Sequence, residues 1–191
     1  MTVKLMAFAA STRSASFNRR LLPLMVEAAR AAGAEVTVVD LLDYPLPLYQ
    51  GDDEAASGMP ASAVALLDIL AGVQGILLVT PEYNGFFPPL LKNTLDWMSR
   101  SDPSGQSGLR HFKGKVAAIA SASPGPAGGL RSLIVTRQYL SNLGLLVIPE
   151  QIGIGSAATA FDENGQLKDG RQRDSVGGIA RRLVEVAGKL G

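Results

Sequence analysis

The stretch that decides the fold is Val3-Lys4-Leu5-Met6-Ala7-Phe8-Ala9-Ala10-Ser11-Thr12-Arg13-Ser14-Ala15-Ser16-Phe17-Asn18. Its first part, Val3–Ala9, is mostly apolar and does not alternate with polar residues, which is typical of a parallel strand buried on both faces of a sheet. Its second part, Ala10–Asn18, changes abruptly to hydroxyl, amide and guanidinium side chains. The pattern predicts a buried first strand whose carboxyl end leads into a polar loop.

The rest of the chain repeats this strand pattern, with helical patterns in between. Four further short apolar runs predict strands: Val36–Val39, Ile76–Val79, Val116–Ala120 and Leu145–Ile148. Apolar residues at helical spacing occur around residues 21–29, 64–70, 91–98, 130–140 and 176–187. Alternating strands and helices form right-handed crossover units, so we expect an open α/β sheet with helices on both faces. Such sheets bind ligands beyond the carboxyl ends of their strands.

The length, charge and cysteine content of the chain exclude several classes of function. A chain of 191 residues with 47% hydrophobic content predicts one domain, spanning residues 1–191. The balance of 18 Lys and Arg against 17 Asp and Glu gives no basic field for nucleic acid. The chain has no cysteine, which excludes disulfides, thiol nucleophiles and Cys-ligated metals. No apolar run approaches the roughly 20 residues of a membrane span, so we expect a cytoplasmic protein with no membrane partner.

The loop after the first strand has the chemistry of an anion site. Residues Ala10–Asn18 contain three serines, a threonine, an asparagine and Arg13. Hydroxyls, loop amides and a following helix N-terminus together bind phosphate, and an arginine adds a charge-assisted fork. An alternative is that Ser16 or Asn18 only caps the helix and Arg13 is a solvated surface residue. Pro23 predicts either a helix that begins near Arg20 or a kinked helix.

Two further loops follow the third and fourth predicted strands. Thr80–Pro89 combines a carboxamide, a glycine and aromatic rings, which suits a planar heterocycle; the alternative is a hydrophobic turn with Phe86 and Phe87 in the core. In Ser121–Gly129 the glycines let backbone amides approach a ligand at a helix N-terminus, or form a simple turn. Both loops are expected at the same edge of the sheet as the first.

Three motifs in these loops follow one another in a characteristic order. They are Ser11-x-Arg13-x-x-Ser16-Phe17-Asn18, then Pro81-Glu82-Tyr83-Asn84-Gly85 with Leu91-Lys92-Asn93-x-x-Asp96-Trp97 behind it, then Ser123-Pro124-Gly125-x-x-Gly128-Gly129-x-Arg131. Together they resemble the NAD(P)H-dependent FMN reductases, which include quinone, azo-dye and chromate reductases of flavodoxin-like fold. The resemblance extends from the first strand to at least Glu150.

The resemblance implies a fold and a set of site residues. The fold is a flavodoxin-like three-layer sandwich with a five-stranded parallel sheet in the order 2-1-3-4-5. The FMN phosphate would be held by Ser11, Arg13, Ser16, Phe17 and Asn18, and the isoalloxazine would be lined by Pro81, Glu82, Tyr83, Asn84 and Gly85 and touched by Ser123. One departure is Ala10, where the family usually has glycine, and it predicts a slightly wider backbone approach to the cofactor.

The resemblance also implies an activity. NADH or NADPH would deliver a hydride to N5 of FMN and leave, and a small-molecule acceptor such as a quinone or a flavin would then enter the same cleft. This chemistry needs no side-chain acid or base, so we expect no catalytic residue and no metal. A homodimer or homotetramer is implied, with Arg131 and Glu150 either joining subunits or lying solvated. A flavodoxin-type one-electron carrier and a flavin-free binding module are the open alternatives.

Other candidate features have plainer interpretations. Gly153-Ile154-Gly155-Ser156-Ala157-Ala158 matches the dinucleotide fingerprint but follows the last strand, without the βαβ unit that the motif needs. Asp162-Glu163-Asn164-Gly165 predicts a turn, because later calcium ligands are lacking. The single histidine, His111, is expected at the surface, and Trp97 in packing. The long segment Leu41–Pro60 indicates a lid, a partner contact or disorder.

Overall fold

A computed structural model describes residues 2–190 of the chain and contains one five-stranded sheet. The elements in chain order are β1 (Lys4–Ala9), α1 (Phe17–Ala31), β2 (Glu35–Val39), α2 (Gly51–Ser57), α3 (Ala61–Ala71), β3 (Gly75–Val79), α4 (Pro89–Ser99), β4 (Val116–Ala122), α5 (Leu130–Asn142), β5 (Leu146–Ile154), α6 (Ala157–Ala160) and α7 (Gly170–Leu190). All neighbouring strands pair in parallel, in the order β2-β1-β3-β4-β5. The predicted sheet and its order are confirmed.

The sheet lies between two apolar cores, which explains why its strands do not alternate with polar residues. In β1, Leu5 and Ala7 pack with residues of α1 and α7, whereas Met6 and Phe8 pack with residues of α3, α4 and α5. All four side chains are 0–1% exposed. Since each face of the sheet is covered by helices, both side-chain sets of a central strand must be apolar.

The fifth strand is longer than the sequence indicates. The apolar run ends at Ile148, but β5 continues to Ile154 and pairs with β4 as far as Ala122, after a register irregularity. Its last part carries Gly153 and so brings it beside the loop that follows β4. The apolar pattern does not predict this extension, because its residues, Pro149 to Gly153, are mostly polar, proline or glycine.

Helix α1 passes through Pro23 rather than starting after it. The helix begins at Phe17, with Ser16 as the capping residue whose hydroxyl accepts from the Arg19 N–H at 3.4 Å. Of the two alternatives for Pro23, a helix start near Arg20 is therefore wrong, and Pro23 lies inside the helix. Pro23 cannot donate to the Arg19 carbonyl, so the helix loses one backbone hydrogen bond there. The packing of Leu21, Leu22 and Met25 in the core supports the helix across this gap.

The segment between β2 and α3 is ordered against α4. The Asn93 carboxamide donates to the Pro47 carbonyl at 2.8 Å and accepts from the Tyr49 N–H at 2.7 Å. The Trp97 indole N–H also donates to the Pro47 carbonyl, at 2.8 Å, and Trp97 is 1% exposed. The expectation that Trp97 is a packing residue is confirmed. We call residues 44–50 the strap.

Among residues 2–190, no single helix is both long and apolar enough to cross a membrane. Helices α2 and α3 reach that length and apolar composition only when taken together, and they are bent by 88° relative to each other.

Candidate active site

The loops after β1, β3 and β4 meet at the carboxyl edge of the sheet and enclose a cavity of about 310 Å³. Its walls are formed by Ser11, Arg13, Ser16, Phe17, Asn18, Pro81, Glu82, Tyr83, Ala122, Ser123 and Pro124. The structure thus brings together the predicted site residues from all three loops, except Asn84 and Gly85. Ala122 and Pro124 also line the cavity beside Ser123, but they were not among the predicted site residues because neither carries a polar side chain.

The first loop forms the cationic end of the cavity. Ser11 and Ser16 are 6% and 4% exposed, and the first turn of α1 carries no acidic residue. Arg13 is exposed, and within residues 2–190 its guanidinium makes no hydrogen bond or ion pair with the protein. By contrast, Arg19 is paired with Asp40 at 2.6 Å. This end can therefore bind an anion with a free guanidinium, hydroxyls and the positive end of a helix.

The structure places the Ala10 side chain in the core, away from the cavity. The Ala10 N–H donates to the Val79 carbonyl of β3 at 2.8 Å. Its methyl group is 1% exposed and packs in the core beneath α3, α4 and α5, and it is absent from the cavity wall. A side chain at this position therefore occupies core space and does not project into the cavity.

Asn18 has a different set of contacts from the one expected for a phosphate ligand. Its Nδ2 donates to the Ala122 carbonyl at 2.9 Å and its Oδ1 accepts from the Ala122 N–H at 2.9 Å. The residue is 3% exposed. Since the amide group has two N–H donors, only one remains for a ligand in the cavity.

The second loop is a tight hairpin turn. The Tyr83 N–H donates to the Phe86 carbonyl at 2.8 Å and the Phe86 N–H to the Tyr83 carbonyl at 3.0 Å. The two central residues, Asn84 and Gly85, have φ values of 53° and 85°, as in a type I′ turn, which needs the left-handed conformation at both positions. Asn84 and Gly85 are therefore at the outer tip of the loop, which explains their absence from the cavity wall.

The aromatic residues of this loop divide between the core and the surface. Phe87 is 8% exposed and stacks on Tyr139 with ring centroids 5.0 Å apart, whereas Phe86 is 55% exposed. The interpretation of both as core is thus wrong for Phe86. The Tyr139 hydroxyl donates to Asp96 at 3.0 Å, and burial together with that carboxylate raises the pKa of Tyr139. Tyr83 is 48% exposed and gives the cavity an open aromatic edge.

The Glu82 carboxylate is bound to the start of α5 rather than facing a ligand. It accepts from Arg131 Nε at 2.8 Å and from the Ser132 N–H at 3.3 Å, and its side chain is 9% exposed. The Ser132 hydroxyl in turn donates to the Pro81 carbonyl at 3.0 Å. A carboxylate at a helix N-terminus is favoured by the helix dipole, so these contacts fix the second loop against α5. Glu150 lies beside Arg182, at 3.7 Å.

The third loop is fixed by the extension of β5. The Ser123 N–H donates to the Ile154 carbonyl and the Ala157 N–H to the Ser123 carbonyl, both at 3.0 Å. A Cβ on Gly155 would lie 2.2 Å from the Pro126 oxygen, and one on Gly128 would lie 2.4 Å from the Gly153 carbonyl carbon. The glycines of the dinucleotide-like sequence therefore allow the end of β5 to pack closely against the third loop. This packing role supports the prediction that the sequence is not a dinucleotide-binding motif.

The remaining candidates lie outside this cavity. Asp162 accepts from the Asn164 N–H at 2.9 Å in a turn, as expected. His111 is half-buried in a short 3-10 helix, Gly108–His111, and burial lowers its pKa. Within the part of the chain that the structure describes, no group of three or more His, Cys, Asp or Glu residues could hold a metal ion.

Comparison with known proteins decides the family. The model of the NADPH-dependent FMN reductases matches residues 3–159. The chain belongs to this family. A quinone reductase of Pseudomonas putida is 37% identical over 161 residues, which cover 83% of this chain and 81% of the relative. An NAD(P)H-dependent FMN reductase of Pseudomonas aeruginosa is 32% identical, covering 91% of this chain and 89% of the relative.

Solved structures agree with the family assignment. The flavoenzyme NAD(P)H:(acceptor) oxidoreductase FerB from Paracoccus denitrificans superposes with a TM-score of 0.83 at 27% identity, covering all of both chains. A flavodoxin from the domain Archaea superposes with a TM-score of 0.61 at 10% identity, over 97% of this chain and 99% of the other, and this likeness shows the fold alone. The resemblance found in the sequence motifs is confirmed, and with it the flavodoxin-like fold.

Proposed function

We propose that this protein is an NAD(P)H-dependent oxidoreductase that binds FMN in the cavity at the carboxyl ends of β1, β3 and β4. The observation that carries the proposal is the convergence of the three motif-bearing loops on one cavity in a chain of the FMN reductase family. An anion site at one end and an open aromatic edge at the other match the two ends of a flavin mononucleotide.

The phosphate end of the cofactor is assigned to the first loop. Arg13 supplies the charge, because it is free within the described residues, while Arg19 is neutralised by Asp40. Ser11 and Ser16 supply hydroxyls, and the Phe17 and Asn18 N–H groups belong to the first turn of α1, whose positive end favours a phosphate dianion.

The ring end of the cofactor is assigned to the second and third loops. Pro81, Glu82 and Tyr83 form one wall and Ser123 forms the other. The contacts of the Glu82 carboxylate with α5 leave its backbone, not its side chain, to face the ring. Asn84 and Gly85 form the turn that holds Tyr83 at the mouth of the cavity and complete the proposed set of eleven site residues.

FMN held in this cavity would supply the redox chemistry, the transfer of electrons from NADH or NADPH to an acceptor. The chain's own residues bind the cofactor, orient its ring and leave one side open. Among the described residues that form the cavity wall, Glu82 is the only acid, and it is ion-paired with Arg131. We therefore assign no catalytic acid or base.

The acceptor class is proposed from the open edge of the cavity. Tyr83 and Phe86 are 48% and 55% exposed and present aromatic surface next to the ring site, which favours planar acceptors such as quinones or free flavins. The co-substrate and the acceptor would both reach the ring at this exposed edge and use it in turn, giving ping-pong kinetics. Two relatives named as reductases of quinones and of FMN support this class.

Three broader properties remain proposals. One continuous sheet with a core on each face supports a single domain over the whole chain. Exposed Leu130 and Ile134 on α5, at 49% and 59%, support assembly as a homodimer or homotetramer. A cytoplasmic location is the third of these proposals.

Reconstitution tests the proposed function directly. The purified protein is mixed with FMN, and NADH and NADPH oxidation is followed with a quinone as acceptor. We expect FMN uptake and parallel double-reciprocal plots when the acceptor is varied. A protein that takes up no FMN, or that takes it up without oxidising either nicotinamide, would overturn the proposal.

A further inference from the structure

The contact between Asn18 and Ala122 joins two loops that are 104 residues apart in the chain. Asn18 is at the start of α1, two residues after the Ser16 cap, and Ala122 is the last residue of β4, directly before Ser123. Both hydrogen bonds are 2.9 Å long, and both residues are 2–3% exposed. The side-chain amide thus matches the donor and the acceptor of one backbone residue at a buried position in the cavity wall.

The backbone of β4 explains why this contact is needed. The Ala120 carbonyl accepts from the Thr80 N–H at 2.9 Å, so the polar groups of Ala120 face β3. Ala122 is two residues further and its groups point to the same side, but β3 has already ended at Val79. Asn18 therefore takes the position of the missing strand and satisfies buried groups that would otherwise be costly.

The other side of the same segment is held by β5. Ser123 pairs with Ile154 and Ala157 through its own N–H and carbonyl. The start of the third loop is thus fixed to β5 on one side, and Asn18 fixes α1 to it on the other. Among the described residues, Asn18 makes the hydrogen bonds that link the start of α1 to this segment.

We propose that Asn18 is a positioning residue that sets the distance between the phosphate loop and the Ser123 loop, and so helps to bind the flavin ring. The inference rests on the proposed FMN site, and it changes the role of Asn18 from a phosphate ligand to a link between the two ends of that site. A residue that acts only on the phosphate affects FMN alone. A residue that positions the ring wall affects flavins with and without a phosphate.

The test compares FMN with riboflavin, which lacks the phosphate. Dissociation constants are measured by flavin fluorescence quenching for the wild type, Asn18→Ala and Arg13→Ala. We expect Asn18→Ala to weaken both flavins by about tenfold or more, because the ring wall loses its support, and Arg13→Ala to weaken FMN alone. Weakening of FMN by Asn18→Ala with riboflavin unchanged would overturn the inference. A wild type that binds neither flavin would instead overturn the proposed function.

A matched control separates positioning from general loss of stability. Asn93 also uses its carboxamide to bridge backbone groups, at Pro47 and Tyr49, away from the cavity. Asn93→Ala should leave both flavin affinities within about twofold of the wild type. If Asn93→Ala and Asn18→Ala weaken the flavins equally, destabilisation alone accounts for the effect and the inference is wrong.

Amide hydrogen exchange provides a readout that needs no flavin. In the protein without cofactor, the Ala122 N–H should exchange at least about tenfold faster in Asn18→Ala than in the wild type, while the Ile119 N–H in the middle of β4 keeps its protection. Asn18→Asp keeps an acceptor for the Ala122 N–H but replaces the donor to the Ala122 carbonyl with a carboxylate oxygen, so its Ala122 N–H should exchange at a rate between those of the wild type and Asn18→Ala. Unchanged exchange at Ala122 in both variants would overturn the inference.

Discussion

At the scale of single residues, Arg13 in the first loop differs in its contacts from Arg19 and Arg20, which follow it in the chain. Arg19 is bound to Asp40, and Arg20 lies over the Phe161 ring at 4.8 Å, whereas Arg13 is exposed and free within residues 2–190. The sequence alone could not make this distinction, because all three arginines stand in or just after the same loop. The contacts of Arg19 and Arg20 depend on Asp40, directly after β2, and on Phe161, in the segment before α7, and both partners are distant in the chain.

The free guanidinium leads to the first prediction. Arg13→Ala should raise the FMN dissociation constant by about 10- to 100-fold, because a charge-assisted contact with phosphate is lost. Flavin titration of the variant measures this. The FMN dissociation constant of Arg13→Lys should lie between those of the wild type and Arg13→Ala, since an ammonium keeps the charge but not the forked geometry of the guanidinium.

Two further measurements make the Arg13 prediction specific. The unfolding free energy of Arg13→Ala should stay within about 0.5 kcal/mol of the wild type, because the side chain makes no hydrogen bond or ion pair with residues 2–190. Arg171→Ala, which removes an exposed charge on α7, should leave FMN affinity unchanged. Equal FMN affinity in Arg13→Ala and the wild type would contradict the assigned role.

A second residue-scale prediction concerns Gly155. Because an added Cβ would lie 2.2 Å from the Pro126 oxygen, Gly155→Ala must displace the third loop or β5. We expect a loss of about 1–3 kcal/mol in unfolding free energy, measured by urea denaturation. Gly51→Ala is the control, since a Cβ there meets nothing within 4 Å and should change stability by less than about 0.5 kcal/mol. If the two variants had similar unfolding free energies, the third loop would accommodate the added methyl group without loss of stability, and the prediction would be wrong.

At the scale of elements, the strand pattern predicted the sheet because burial on both faces leaves a direct trace in the sequence. Every predicted run lies in or overlaps an observed strand. The strap and the extension of β5 left no such trace. The strap is held by side-chain to backbone hydrogen bonds, such as Asn93 with Pro47, and no local periodicity encodes a partner 46 residues away. The extension of β5 is held by backbone pairing with β4, which does not require apolar side chains.

The strap gives an element-scale prediction. Trp97→Phe should lower the unfolding free energy by about 1–3 kcal/mol, because the indole N–H to Pro47 is lost and the smaller ring leaves space in a buried site. Chymotrypsin should then cut the strap faster, at Leu48 or Tyr49, which mass spectrometry of the fragments would detect. Leu48→Ala, at a side chain that is 78% exposed, should keep the wild-type stability. If Trp97→Phe resisted cleavage as well as the wild type, the contact with the indole would not hold the strap.

At the scale of the whole molecule, the motifs named the correct family and the correct edge of the sheet, but they could not assign side-chain roles within the site. Glu82 and Asn18 both stand in motifs that resemble cofactor ligands, yet their polar groups are bound to Arg131 and to Ala122. A motif records which residues accompany a function. It does not distinguish a residue that touches the cofactor from one that holds the loop in place.

The alkaline stability of the molecule should depend on Tyr139. Its pKa is raised by burial and by Asp96, so the folded state favours the protonated phenol; this stabilisation is complete below pH of about 10 and is lost as pH rises further. Tyr139→Phe should be less stable by about 1–2 kcal/mol at pH 8, and the difference from the wild type should shrink at pH 11. Urea denaturation at the two pH values measures it, with the exposed Tyr83→Phe as control. A difference that stays constant would contradict the raised pKa.

Binding of FMN should stabilise the whole fold, because the cavity is built from loops that connect β1 to α1, β3 to α4 and β4 to α5. A ligand that contacts all three is lost when any of them opens, so its binding energy adds to the energy of unfolding. At a free FMN concentration 100 times the dissociation constant, linkage gives about 2.7 kcal/mol. For a chain of this size that corresponds to a rise in Tm of roughly 5–10 °C, which differential scanning fluorimetry can measure through intrinsic tryptophan emission.

AMP, which has a phosphate but no flavin ring, should shift the Tm by less than about 1 °C at the same concentration, because it cannot contact the second and third loops together. Equal shifts for FMN and AMP would mean that the first loop alone forms the site.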